Sequence, residues 1–264
     1  MQRRKLVAGA LLAAVVLGFG AARAAAETIR VGVTAGPHAQ VMEAVKKVAA
    51  AQGLEIRIVE FSDYVQPNAA LAAGDLDANS YQHAPYLAAQ VKDRGYRIVR
   101  VADTVTVPMG IYSERIASLS ALPKGARIAI PNDPTNGGRA LLLLQKQGVI
   151  KLRDGAGLAA TRFDIVGNPS GVKIVELDAA QIPRSLADVD AAVINTNFAM
   201  EAGLQPRRDA IAIESADGPY VNILAVREAD RGKPWVAKLV AAYRSPAVKR
   251  YLEGKFGGAV IASW

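Results

Sequence analysis

Ile29-Arg30-Val31-Gly32-Val33-Thr34 is a short apolar run, and the helical pattern directly after it decides the fold. Pro37 opens a stretch in which Val41, Val45 and Val48 recur at helical spacing, until Gly53 stops it. Leu54-Glu55-Ile56-Arg57-Ile58-Val59-Glu60-Phe61 then spaces Leu, Ile, Ile, Val and Phe as a second strand does. Strand and helix patterns keep alternating outward from this unit, which points to an α/β fold with largely parallel sheets. Helices are expected over Pro67–Ala73, closed by Gly74, and over Tyr86–Asp93, closed by Gly95, with a strand at Tyr96–Val101. Thr104–Tyr112 carries Pro108 and suits a connection better than a central strand. A new unit comes next, with strands at Ala126–Ile130, Val172–Leu177 and Ala191–Ile194 and helices at Gly138–Lys146 and Ala180–Ala187. Tyr220–Arg227 is strand-like, and Pro234–Tyr243 and Pro246–Lys255 are helical. The economical arrangement is two α/β lobes joined near Val107–Met109 and again near Pro219–Asn222, with the final helices returning to the first lobe.

Composition narrows the function. The chain has 264 residues, 51% hydrophobic and 21% charged, which excludes disorder and gives enough length for two cores. Cysteine is absent and histidine occurs only at positions 38 and 83, so disulfides, thiolate sites and multi-histidine metal sites are not expected. The formal charge of +8 falls to +4 once Arg3, Arg4, Lys5 and Arg23 are set aside. Those four lie in a segment that reads as an export signal: a basic start, an apolar run from Leu6 to Ala22, and Ala-x-Ala sites ending at Ala24 or Ala26. The expectation is therefore a cleaved signal peptide at residues 1–26 and a soluble periplasmic protein without a lipid anchor. A mildly basic, solvated surface with no run of five basic residues does not call for nucleic acid.

No catalytic motif stands in its required context. Gly155-Ala156-Gly157-Leu158-Ala159-Ala160 has the dinucleotide spacing but comes after a charged turn, not an apolar strand, and reads as a loop. Enzymatic activity, a cofactor and a metal are not expected. Binding groups are better represented. Pro131-Asn132-Asp133-Pro134-Thr135-Asn136-Gly137-Gly138-Arg139 leads from a strand into a helix that Thr135 or Asn136 can cap. Bared N–H groups, the helix dipole and Arg139 together would suit a carboxylate. Asp63-Tyr64, Asn79-Ser80-Tyr81-Gln82-His83, Asn195-Thr196-Asn197 and Tyr220-Val221-Asn222 also gather just after apolar stretches. In open α/β sheets ligands bind beyond the carboxyl ends of strands, so a cleft would need this placement.

These same stretches, with Val33-Thr34-Ala35-Gly36-Pro37-His38, Glu60-Phe61-Ser62-Asp63-Tyr64-Val65-Gln66-Pro67-Asn68 and Leu186-Ala187-Asp188-Val189-Asp190-Ala191-Ala192-Val193-Ile194, resemble the NlpA/MetQ family of methionine-binding proteins from about Ile29 to Trp264. The resemblance implies a two-lobed periplasmic-binding-protein fold, type II-like, with the ligand cleft between lobes. It places lobe 1 at residues 27–108, lobe 2 at 109–218 and the return to lobe 1 at 219–264. It implies capture of methionine, or a related amino acid or methionine-containing dipeptide, for the permease and ATPase of an ABC importer. In that reading Arg139 grips the carboxylate bidentately with help from Asn136, Gly137 and the turn's N–H groups. Asn195, Asn197 and Asn222 serve ammonium and carboxylate, and Tyr64, Tyr81 and His83 wall the thioether chain. His38 caps the first helix or lines the cleft. Many members begin with a lipidated cysteine; this chain has none, so it resembles the freely soluble form. The competing class is a secreted contact or adhesin-type protein of the same fold, for which a complete polar cleft has no use.

Overall fold

The structure is a computed structural model and describes residues 27–264; the expected signal peptide lies outside the described residues. The chain runs β1 (Glu27–Thr34), α1 (Pro37–Ala50), β2 (Leu54–Phe61), α2 (Gln66–Ala73), β3 (Ala78–Asn79), α3 (Ala84–Arg94) and β4 (Ile98–Thr106). It continues through β5 (Gly110–Tyr112), β6 (Arg127–Pro131), α4 (Pro134–Lys146), β7 (Lys151–Leu152), β8 (Ile165–Gly167), β9 (Lys173–Leu177), β10 (Ala191–Ile194), α5 (Thr196–Glu201), α6 (Pro206–Asp209) and β11 (Ala212–Ile213). It ends with β12 (Val221–Arg227), α7 (Pro234–Tyr243), α8 (Pro246–Phe256) and β13 (Ile261–Ala262).

Two sheets organise these elements. One has the order β13-β4-β12-β3-β1-β2, the other β11-β5-β10-β6-β9, and β7 and β8 form a small ribbon of their own. Strands β2, β1 and β3 are mutually parallel, as are β10, β6 and β9. The remaining pairings, β3–β12, β12–β4, β4–β13, β10–β5 and β5–β11, are antiparallel. The expected largely parallel sheets are therefore mixed sheets. The reason lies in how the chain changes sheets: it leaves the first along β4 and re-enters beside it along β12. A strand returning next to its exit with no helical crossover runs the opposite way.

Apolar periodicity accounts for the packing. On α1, Val41, Met42, Val45 and Ala49 are buried on the first sheet, where Trp235, Leu239 and Tyr243 of α7 and Val248 and Leu252 of α8 complete one core. Burying a side chain of this kind is worth roughly 1.5–3 kcal/mol. On the second sheet Ile128, Ile130 and Val193 meet Leu141 and Leu144 of α4 in a separate core. β2, β10 and α7 fall where the sequence pattern puts them. Residues 182–188 form a 3-10 stretch with Pro183 in its first turn instead of the α-helix expected at Ala180–Ala187. β4 runs on to Thr106, further than its apolar pattern suggests.

Candidate functional site

The parallel strands of both sheets deliver their carboxyl ends to one place. A small, tightly closed cavity lies there, lined by His38, Tyr64, Tyr81, Gln82, His83, Tyr86, Val107, Asn136, Arg139, Asn195, Thr196, Asn197 and Asn222. Tyr64 comes after β2, Tyr81 to His83 after β3, Asn136 and Arg139 sit in the first turns of α4 after β6, and Asn195 to Asn197 open α5 after β10. Asn222 comes from β12 and Val107 from the segment that crosses between the sheets.

Each wall is held by its own polar contacts. Asn68, Asn79 and Gln82 form a buried amide network, with Asn68 Nδ2 donating to Gln82 Oε1 at 2.8 Å and Asn79 Nδ2 to Asn68 Oδ1 at 2.8 Å, which fixes the β3–α3 turn. His83 caps α3, its Nδ1 accepting from the Tyr86 N–H at 3.1 Å. The proton therefore sits on Nε2, which lies 3.2 Å from Asn136 Oδ1 in the first turn of α4. Burial, reinforced by the Arg139 charge, lowers the His83 pKa to about 3, so the ring is neutral. His38 Nδ1 lies 2.8 Å from Thr34 Oγ1. Its pKa is lowered to about 4 by burial, which outweighs the opposing hydrogen bond with Asn222. With its amide turned so that the nitrogen donates to the carbonyls of Tyr81 (3.1 Å) and Gln82 (3.2 Å), Asn222 is anchored to the turn that carries His83.

Tyr64, Tyr81, Tyr86 and Phe198 form an aromatic cluster, with ring centroids 4.8 Å apart for Tyr64–Phe198 and 6.0 Å for Tyr64–Tyr81. The Tyr81 and Tyr86 hydroxyls both donate to the Tyr64 carbonyl, at 3.0 and 2.9 Å. The Tyr64 hydroxyl donates across the cleft to Asn197 Oδ1 at 2.5 Å. Burial pushes the Tyr64, Tyr81 and Tyr86 hydroxyls above the usual phenol range, so all three stay protonated donors. Two buried amide atoms on residues lining the cavity have no partner: the acceptor Asn195 Oδ1 and the donor Asn197 Nδ2.

Arg139 departs from the expected arrangement. Its Nε donates to Glu214 Oε1 at 2.9 Å and Oε2 at 3.1 Å, and Nη2 donates to Glu214 Oε2 and to the Val107 carbonyl at 3.0 Å. Tyr220 lies under the guanidinium, 4.4 Å from Cζ to the ring centre. The Nε/Nη2 edge is thus taken by Glu214; among the described residues Nη1 is the guanidinium nitrogen without a hydrogen-bond partner.

The α4 N-terminus is also corrected. Asp133, not Thr135 or Asn136, is the cap, accepting from the Asn136 N–H at 2.9 Å, and the Gly137 N–H donates to the Asp133 carbonyl at 2.8 Å. Those N–H groups are therefore occupied, and Gly137 does not line the cavity. A Cβ on Gly137 would stand 2.8 Å from the Pro131 carbonyl oxygen, and one on Gly138 would collide with the Leu158 carbonyl. The two glycines let α4 approach β6 and the 3-10 turn at Gly157–Ala159, which gives the Gly155–Ala160 stretch a packing role. The other eight candidates, Tyr64, Tyr81, His83, Asn136, Arg139, Asn195, Asn197 and Asn222, come together around the cavity, joined by His38. Gln82 and Thr196 stand inside the motif stretches. Tyr86 is detectable as the residue three after the His83 cap. Val107 and Glu214 give no local signal, because their partner Arg139 is 32 and 75 residues away.

A mixed α/β chain with two sheets and a polar-aromatic cavity where their strand ends converge is a two-lobed solute-binding protein of the periplasmic type. Its structure matches a nutrient-binding protein from Burkholderia cenocepacia bound to methionine, with TM-score 0.88 and 57% identity, covering 89% of this chain and all of that one. It also matches the methionine-binding protein MetQ, with TM-score 0.88 and 49% identity over 90% and 98% of the two chains. The chain belongs to the NlpA lipoprotein family, whose model matches residues 29–264. A relative in Salmonella typhimurium, the D-methionine-binding lipoprotein MetQ, is 48% identical over 97% of this chain and 96% of its own.

One expectation is overturned by these relatives. They are named lipoproteins, so a soluble periplasmic location without a lipid anchor does not stand for this chain. That expectation rested on the absence of cysteine in this sequence, and the names its relatives carry conflict with it.

Proposed function

We propose that this chain captures methionine between its lobes and delivers it to the permease of an ABC importer. The observation that carries the reading is the pair of unpartnered buried amide atoms on Asn195 and Asn197, which line the same cavity as Arg139. A buried donor and a buried acceptor left unpaired cost about 1–3 kcal/mol each, and a zwitterion would satisfy both. The carboxylate would take Arg139 Nη1 and Asn197 Nδ2, and the ammonium Asn195 Oδ1. The thioether chain would lie against Tyr64, Tyr81, Tyr86 and His83, where sulfur packs well near ring edges. The methionine-bound relative and the relatives named for methionine support this choice of ligand.

Residues 27–108 and 219–264 would form one lobe and 109–218 the other, hinged at the two crossing segments near Val107–Met109 and Pro219–Asn222. The hydrogen bonds Tyr64–Asn197 and His83–Asn136 join residues from opposite lobes and would lock the closed state. Native mass spectrometry of the purified protein should reveal co-purified methionine. After ligand removal, adding L-methionine should raise the melting temperature and shrink the scattering radius. An unchanged melting point and radius across a full amino-acid panel would refute the reading and favour a contact protein.

A further inference from the structure

We infer that Glu214 sets the charge of the binding site, making it select zwitterions over simple carboxylates of the same shape. The inference rests on the methionine reading and deepens it. Arg139 is the one ionised side chain among the residues lining the cavity, since His38 and His83 are held neutral by burial. Its side chain is 3% exposed and that of Glu214 14%, and the two are joined through both Nε and Nη2. Glu214 is itself fixed to the opposite crossing segment: the Met109 N–H donates to Oε2 at 3.1 Å, and the Glu214 N–H donates to the Met109 carbonyl at 2.8 Å.

Other charges nearby are engaged elsewhere. Asp133 accepts from Asn136 and Thr135 at the positive end of α4. Arg207, exposed in the hollow on the far side of Glu214, donates to the Gly257 carbonyl. Counted over the cavity lining and Glu214 the charge sums to zero, and the Asp63 and Asp133 carboxylates, whose fields reach Tyr64, Tyr81 and Tyr86, add no positive charge to it. A methionine zwitterion entering it leaves the sum at zero. A carboxylate lacking the ammonium brings an uncompensated negative charge into a water-poor space already facing Glu214, which is disfavoured. Without Glu214 the preference reverses: the site becomes a cation that a monoanion neutralises.

The test is calorimetric titration of wild type, Glu214→Gln and Glu214→Asp with L-methionine and with its desamino analogue, in which hydrogen replaces the ammonium group. Wild type should prefer methionine. Glu214→Gln should move the affinity ratio toward the desamino acid by roughly tenfold or more, whereas Glu214→Asp, which keeps the charge, should leave it near wild type. A ratio unmoved in Glu214→Gln, including an equal loss of both ligands, overturns the inference and makes Glu214 a structural brace. The wild-type arm needs no variant to fold: desamino binding as tight as that of methionine also overturns it. No methionine binding by wild type overturns the methionine reading and this inference together.

Discussion

Arg139→Ala is the most informative perturbation because it strikes two partners at once. The arginine is almost fully buried, and its removal leaves the part-buried Glu214 carboxylate without its cation. Breaking a buried pair from one side costs about 3–5 kcal/mol of stability. For a chain of this size, with roughly 2–4 °C per kcal/mol, that is a fall in melting temperature on the order of 10 °C. Binding suffers separately: losing the cation opposite a desolvated carboxylate costs about 2–5 kcal/mol, or roughly 30-fold in affinity and upward. The double variant Arg139→Ala/Glu214→Gln should recover much of the melting temperature, because no orphan charge remains, but little of the methionine affinity. Arg139→Lys should recover little affinity, since an ammonium cannot span Glu214, the Val107 carbonyl and a ligand from one plane. Thermal melts followed by circular dichroism and calorimetric titration of all three variants decide the matter. Near-native methionine affinity in a folded Arg139→Ala protein would refute the reasoning and reduce Arg139 to a partner for Glu214.

The geometry also fixes three other outcomes. His38 and His83 have folded pKa values of about 4 and about 3 against 6.5 when unfolded, so the unfolded chain takes up the extra protons. Stability should be fully present above pH 6.5 and fall as pH drops toward 4, by about 3 kcal/mol for His38; urea titrations at pH 7, 5.5 and 4 that give a flat profile would contradict this. Tyr64→Phe removes the cross-lobe bond to Asn197 and should weaken methionine by roughly 5- to 30-fold, mainly through faster release in stopped-flow displacement; unchanged release would exclude this contact from holding the lobes shut. Gly138→Ala should lower stability by about 1–3 kcal/mol, despite alanine's better helix propensity, because its Cβ meets the Leu158 and Ala160 backbone; a higher melting point would show that the 3-10 turn yields.

The alternating elements and most of the site were legible in the chain itself. Pro37 and Gly53 bracket α1, the period-two pattern of Leu54–Phe61 marks β2, and the polar clusters after apolar runs mark the cavity walls. Those signals act over a few residues, through backbone preference, capping and side-chain periodicity, so they are written in consecutive positions. The tertiary structure alone decided that β12 runs antiparallel between β3 and β4, which no strand pattern specifies. It alone decided that the guanidinium edge expected to face a ligand turns instead to Glu214, and that Tyr64 reaches Asn197 across 133 residues of sequence. It also set the neutrality of both histidines, whose ordinary pKa values are overridden by desolvation. Pairings of this kind are chosen when separate cores close around the same cavity, and their energy comes from removing water from groups that the chain order keeps far apart.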